Sequence, residues 1–354
     1  MIPVKLVTIV GARPQFIKAA AVSRELRKKH EEFLLHTGQH YDYEMSGVFF
    51  QGLELSQPDV NLNVRSASHG SQTAGMLEGI EKILIEERPD RVLVYGDTNS
   101  TLAGALAAAK LSIPVVHVEA GLRSFNRRMP EEINRVVTDH LSDLLLCPSD
   151  TAVRNLAAEG LTHDVHEVGD VMLDVLNWAR KRVAEAHAQI LGRVGVKKSE
   201  YLLATVHRSD NTDDSDKLSG IIKALNSLEE KVVFPIHPRA RKAITHAGCP
   251  INSNIHLIDP VGYMDMIALT STARLVLTDS GGLQKEAYWL RIPCVTLRNE
   301  TEWVETVDAG WNKLVGSDSA KIVEAVGSFA PNGSYLPLYG DGFAASKCVA
   351  LLET

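Results

Sequence analysis

Short apolar runs alternate with amphipathic stretches along the whole chain. Residues 5–10, 33–37, 92–95, 115–118, 144–147 and 165–168 read as one series of strands. Residues 201–206, 232–236, 255–258, 275–277, 294–297 and 313–315 read as a second. Helical patterns fall between them, among them 98–110, 133–141, 150–159, 216–229 and 283–290. Strands that are apolar on both faces and separated by helices predict parallel sheets covered on both sides, hence an α/β fold. The first domain is expected over 1–169 and the second over 170–339, entered through a long polar helix at 174–190. The last segment, 340–354, carries a further helix. Periodicity leaves open whether that helix packs back on the first domain.

The polar groups gather where strands end. Tyr95 is followed by Gly96, Asp97 and Thr98, and Val118 by Glu119 and, four residues on, Arg123. In the second series, Val206 runs into His207 and Arg208, and Leu277 into Asp279, Ser280, Gly281 and Gly282. Open parallel sheets bind ligands beyond the carboxyl ends of their strands. Two such sheets facing a central cleft would turn all four clusters toward one ligand.

Composition narrows the chemistry. The length of 354 residues suits about two domains. A formal net charge of -7 argues against a nucleic-acid binder, so an anionic ligand would be held by local cations. Cys147, Cys249, Cys294 and Cys348 are far apart, with no C-x-x-C pair and no histidine cluster at zinc spacing. Buried thiols in a reducing cytoplasm are expected, and no metal. The first strand is interrupted too early for a signal peptide, and the alanine-rich stretch 102–109 is too short for a membrane span.

Each candidate cluster has an ordinary reading beside the functional one. Gly11 ends the first strand, and Arg13 and Lys18 then lie near the positive end of a helix, where an anion would compensate them. Two solvated surface cations are the alternative. The lone glycine departs from G-x-G-x-x-G, and no G-x-x-x-x-G-K-[ST] occurs, so nicotinamide chemistry and ATP hydrolysis lose support and no cofactor is expected. Asp97 or Thr98 would cap the helix that follows, whereas Glu119 has no helix to cap. Carboxylates crowded beside phosphates can exchange protons near neutrality. Pro130, Glu131 and Glu132 form an ordinary helix start. His207 gains interest from Arg208 and from its place at a strand end. Ser280, Gly281 and Gly282 would open a helix with bare N–H groups suited to a diphosphate, and Glu286 could accept from ribose hydroxyls.

In order, these motifs resemble the non-hydrolysing UDP-N-acetylglucosamine 2-epimerase family. The match runs from Gly11, Arg13 and Lys18 through Asp97, Glu119 to Arg123, Pro130 to Glu132, His207 and Arg208, Ser280 to Gly282, and Thr301 with Glu302. The resemblance implies two Rossmann-like domains around a cleft, as in GT-B glycosyltransferases, and a cytoplasmic homodimer. It implies a UDP-sugar substrate with no redox cofactor. It implies catalytic roles for Asp97, Glu119, Glu131 and His207. UDP would be held by Arg13, Lys18, Arg208, Ser280, Gly281, Gly282 and Glu286. Gln39 and His40 match the family's activator pair, although residues 64–72 depart from the usual pattern.

Two departures look like the subgroup acting on UDP-2,3-diacetamido-2,3-dideoxy-glucuronate. The loop 124–129 is short, and Trp303 and Val304 stand where many members have arginine and proline. Arg127 or Arg128 could meet a uronate carboxylate, or both could simply be solvated. UDP-N-acetylglucosamine is the next substrate in line. A hydrolysing epimerase, a glycosyltransferase and a binding module without turnover are the alternatives.

Overall fold

A computed structural model describes residues 3–39, 52–65, 67–184 and 186–353. The strands β1 (Lys5–Val10), β2 (Glu31–His36), β3 (Val60–Asn61), β4 (Arg91–Tyr95), β5 (Val115–Val118), β6 (Leu144–Cys147) and β7 (Val165–Glu167) form one sheet. Its order is β3-β2-β1-β4-β5-β6-β7, parallel throughout. A second parallel sheet has the order β10-β9-β8-β11-β12-β13. Its strands are β8 (Leu202–Thr205), β9 (Val232–Pro235), β10 (Ile255–Ile258), β11 (Leu275–Thr278), β12 (Cys294–Thr296) and β13 (Asn312–Leu314). The winding direction reverses between β1 and β4 and again between β8 and β11. At such points the loops leaving adjacent strands splay apart and open a crevice.

Packing explains why the strands are apolar on both faces. Leu202 and Ala204 of β8 point to one side, with Leu218, Ile221, Ile222 and Leu225 of the Ser215–Ser227 helix. Leu203 points to the other, with Ala268, Leu269, Leu283 and Ala287. In the first sheet, Val7, Ile9, Val92 and Val94 meet Met76, Ile80 and Leu84 of the His69–Glu87 helix and Ala103 and Ala107 of the Asn99–Lys110 helix. Each fully buried aliphatic side chain contributes about 1.5–3 kcal/mol.

The chain forms two compact units, 1–177 with 339–354, and 178–338. The boundary expected after Gly169 therefore lies inside the first unit, which continues to Asn177. The C-terminal helix Ala344–Leu351 belongs to this unit. Asp174 accepts from the N–H groups of Ala344 (3.1 Å) and Ala345 (3.0 Å), and Tyr339 accepts from the Asp170 N–H at 2.8 Å.

The long helix expected at 174–190 is two helices, Val171–Val183 and His187–Val194. The Ala186 N–H bonds back only three residues, to the Val183 carbonyl (2.9 Å), a tightening that ends an α-helix. No glycine or proline marks the break, so periodicity runs through it. The edge strand β3 is two residues long, too short to display a period.

Candidate active site

In the first unit the strand ends build a charged cluster from buried pairs. Gly11 and Ala12 donate their N–H groups to Gln15 Oε1 at 2.8 and 3.1 Å. Gln15 in turn donates to the Tyr95 carbonyl and to Thr101. Gln15 thus occupies the two N–H groups of the turn that precedes Arg13. Lys18 is not a surface cation. It is 6 % exposed, and its ammonium meets Glu119 Oε1 at 2.5 Å. Gly96 makes room for it, since a Cβ there would fall 2.9 Å from Lys18 Nζ. Glu119 itself has φ +71°, a left-handed backbone that L-residues adopt only when their surroundings enforce it. Arg13 is part-buried at the start of the same helix as Lys18.

Thr98, and not Asp97, caps the Asn99–Lys110 helix, accepting from the Thr101 N–H at 3.3 Å. That leaves the Asp97 carboxylate to pair with Arg135. Arg135 also donates to Glu132 (2.9 Å), and Glu132 accepts from the Ser124 N–H, the Ser124 hydroxyl and the Phe125 N–H, each at 2.9 Å. Glu131, the residue favoured by resemblance, is exposed in the first turn of the Pro130–Leu141 helix. The network takes its neighbour Glu132 instead. Arg127 and Arg128 are exposed in the 124–129 loop, and neither side chain has a partner among the described residues.

Beneath this cluster lies a group that sequence reasoning missed. His117, inside apolar β5, sets Nδ1 2.7 Å from Asp139 and Nε2 2.8 Å from the Gly96 carbonyl. Arg123 donates to Asp139 at 2.7 Å and to Glu159 at 2.7 and 2.8 Å. Burial alone would raise the Asp139 carboxyl, but His117 and Arg123 outweigh it and hold it below its ordinary value. A signal was present. Glu132, Arg135 and Asp139 recur at helical spacing on the buried side of the Pro130–Leu141 helix, whereas Ile133 and Val137 are exposed. That inverts the usual amphipathic order.

Gln39 accepts from Ser100 at 2.9 Å, and Ser100 and Thr37 share a further hydrogen bond. His40 lies outside the described residues. His36, at the end of β2, accepts the Gly38 N–H on Nδ1 (2.7 Å) and stacks on Phe16. Burial pushes its pKa down from 6.5 to about 4. As pH falls, the unfolded chain binds this proton first, so the stability present above about 6.5 is lost between there and 4. At about 1.4 kcal/mol per unit, that amounts to about 3 kcal/mol. His36→Asn keeps an acceptor for Gly38 without titrating. Its melting temperature is expected to fall less between pH 7 and pH 4.5 than that of the unaltered chain. Parallel profiles would refute the assignment.

The second unit gathers a different set at the ends of β8, β11 and β12. Asp279 is fully buried and accepts from the N–H groups of His207 (3.1 Å) and Arg208 (3.0 Å) and from Asn211 (3.1 Å). Burial alone would raise its carboxyl, but His207, whose Nδ1 lies 3.1 Å away, and these donors hold it low. The His207 ring itself is 43 % exposed, placing an imidazole at the surface with its orientation set from behind. Ser280 caps the Gly281–Trp289 helix by accepting from the Leu283 N–H. The N–H groups of Gly281 and Gly282 have no partner among the described residues. They are partly exposed at the positive end of the helix. Glu286 is buried one turn further along. Arg298 donates to Glu302 at 3.0 and 3.2 Å, and Arg208 lies 3.8 Å from the same carboxylate.

Among the described residues, no cluster of His, Cys, Asp or Glu could hold a metal ion, and no helix is long and apolar enough to cross a membrane. Cys147, Cys294 and Cys348 are buried free thiols, and Cys249 is partly buried.

Comparison with known proteins extends these observations. Residues 24–353 match the family model for UDP-N-acetylglucosamine 2-epimerase. A UDP-N-acetylglucosamine 2-epimerase homolog from Methanococcus maripaludis is 54% identical, with 99% of each chain covered. The UDP-2,3-diacetamido-2,3-dideoxy-D-glucuronate 2-epimerase of Pseudomonas aeruginosa is 46% identical, over 98% of this chain and 99% of its own. The crystal structure of the Methanocaldococcus jannaschii UDP-GlcNAc 2-epimerase in complex with UDP-GlcNAc and UDP superimposes with a TM-score of 0.93, at 41% identity and 99% coverage of both chains. With its two parallel sheets and its charged strand ends, the chain is an isomerase belonging to the UDP-N-acetylglucosamine 2-epimerase family.

Proposed function

We propose that the protein is a non-hydrolysing epimerase that inverts C2 of a UDP-linked 2-acetamido sugar by eliminating and re-adding UDP. The observation that carries this reading is the Lys18–Glu119 pair beside Asp97 and Arg135 at adjoining strand ends. It sets two carboxylates among cations just beyond the ends of β4 and β5. The C1–O bond breaks first, and its electron pair leaves with UDP. Arg13, His207 and Arg208 and the N–H groups of Gly281 and Gly282 stabilise the departing anion, with Ser280 orienting that turn and Glu286 taking the ribose. Loss of UDP makes the C2 hydrogen acidic. One carboxylate takes that proton, C1 and C2 become doubly bonded as a glycal, and protonation from the opposite face precedes return of UDP to C1. Asp97 and Glu119 are the two carboxylates, with Glu131 held in reserve by resemblance alone.

The diacetamido-uronate is the favoured substrate. Its support is the 46% identical Pseudomonas aeruginosa relative, together with the short loop that leaves Arg127 and Arg128 exposed for a sugar carboxylate. UDP-N-acetylglucosamine is the second reading, favoured by the ligands of the Methanocaldococcus jannaschii structure. A cytoplasmic homodimer supplying surface-polysaccharide precursors completes the proposal, and sedimentation would check the dimer.

Both sugars should be incubated with the enzyme in deuterium oxide and followed by NMR. Deuterium is expected at C2 of recovered substrate and of product, faster with the uronate. Accumulation of UDP and free sugar would indicate hydrolysis. Turnover without exchange would exclude the glycal route.

A further inference from the structure

We propose that Trp303 forms part of the diphosphate site, its indole N–H serving as a neutral donor beside the Gly281 turn. The inference rests on the reading above, in which UDP occupies that turn. Trp303 is 4 % exposed, and its indole nitrogen lies 3.1 Å from the point where a Cβ on Gly281 would stand. The nitrogen-bearing edge of the ring therefore borders the first turn of the Gly281–Trp289 helix, where the Gly281 and Gly282 N–H groups have no partner among the described residues. Only glycine at 281 leaves this edge and the turn so close together.

The ring is held there from several sides. The Trp303 N–H donates to Thr301 Oγ1 (3.1 Å), and that hydroxyl donates to Gln284 Oε1 (2.7 Å) on the same helix. The buried ammonium of Lys285, from the next turn, lies 3.6 Å from the centroid of the indole. A cation on the face of an indole draws on its π-electrons, and the indole nitrogen can only donate. Positive charge thus reaches this side of the turn through a ring and a helix terminus. Glu302, whose carboxylate lies 3.8 Å from the same point, is neutralised by Arg298 and does not oppose an anion.

The test compares UDP with uridine, which lacks the diphosphate, by calorimetry on the full chain. Trp303→Phe keeps a ring for Lys285 to stack on and removes the N–H. A hydrogen bond to a charged group is worth about 1.5–3 kcal/mol, so UDP affinity is expected to fall roughly ten- to a hundredfold, with uridine affinity unchanged. Equal UDP affinity in the two proteins would overturn the assignment, as would equal losses for UDP and uridine. A second measurement does not depend on how that variant folds. In the unaltered chain labelled with 15N-indole tryptophan, one indole N–H signal should move with UDP and stay in place with uridine. Phenylalanine variants of Trp178, Trp289 and Trp311 assign it to Trp303 by elimination. Failure of the unaltered chain to bind UDP would overturn the functional reading and this inference together. Normal UDP binding with an unmoved Trp303 signal would overturn this one alone.

Discussion

Glu119→Gln is expected to lower kcat by on the order of a thousandfold while leaving UDP binding intact. General acid–base groups contribute roughly 10²–10⁴ to rate, and an amide cannot take the proton from C2. Of the groups proposed to hold UDP, all but Arg13 are in the second unit, and none of them is changed. The substitution has a second effect, because Lys18 is buried against this carboxylate. Removing one partner of a buried ion pair costs about 3–5 kcal/mol, much of it from the charge left behind. Lost activity in the single variant therefore mixes chemistry with stability. Lys18→Met combined with Glu119→Gln separates them, since thermal stability should return and turnover should not. Turnover within tenfold of normal in the single variant would remove Glu119 from proton transfer.

Asp139→Ala is expected to produce the largest loss of stability at any polar position of the first unit. The carboxylate is fully buried and is shared by His117, Arg123 and the Gly121 N–H. Without it, the buried His117 imidazole loses its partner and the Arg123 guanidinium keeps only Glu159, a change worth about 3–5 kcal/mol. For a unit of this size the melting temperature should fall by roughly 10 °C. Activity should fall as well, because His117 also holds the Gly96 carbonyl, one residue before Asp97. Urea unfolding followed by circular dichroism provides the first readout, and kcat of the folded variant the second. An unchanged midpoint would mean that the trio contributes no net stability.

Apart from the two-residue β3, both sheets were legible in the sequence because most of their strands are short runs of apolar residues. A helix cap at Asp97 or Thr98 was legible from the side chains, and the structure selects Thr98. Pairing was not legible. Nothing local states that Lys18 turns inward to Glu119, since the two residues are brought together only when β1, β4 and β5 lie side by side. The choice between Glu131 and Glu132 was equally hidden. Adjacent residues on a helix point about 100° apart, and only the packed helix reveals which of them faces Arg135. Asp279 stood in plain view beside the glycines, but its work of orienting His207 from behind depends on the register of β8 and β11.

The return of the Ala344–Leu351 helix to the first unit affects how the protein is made. Residues 178–338 are an uninterrupted stretch, whereas the first unit also needs residues 339–354. Domains fold as they leave the ribosome, so the portion translated second is the one able to finish first. The earlier portion must wait, its docking face bare, until residues 344–351 have been made. A stop codon near position 338 would thus leave the later portion whole and deprive the earlier one of its closing helix.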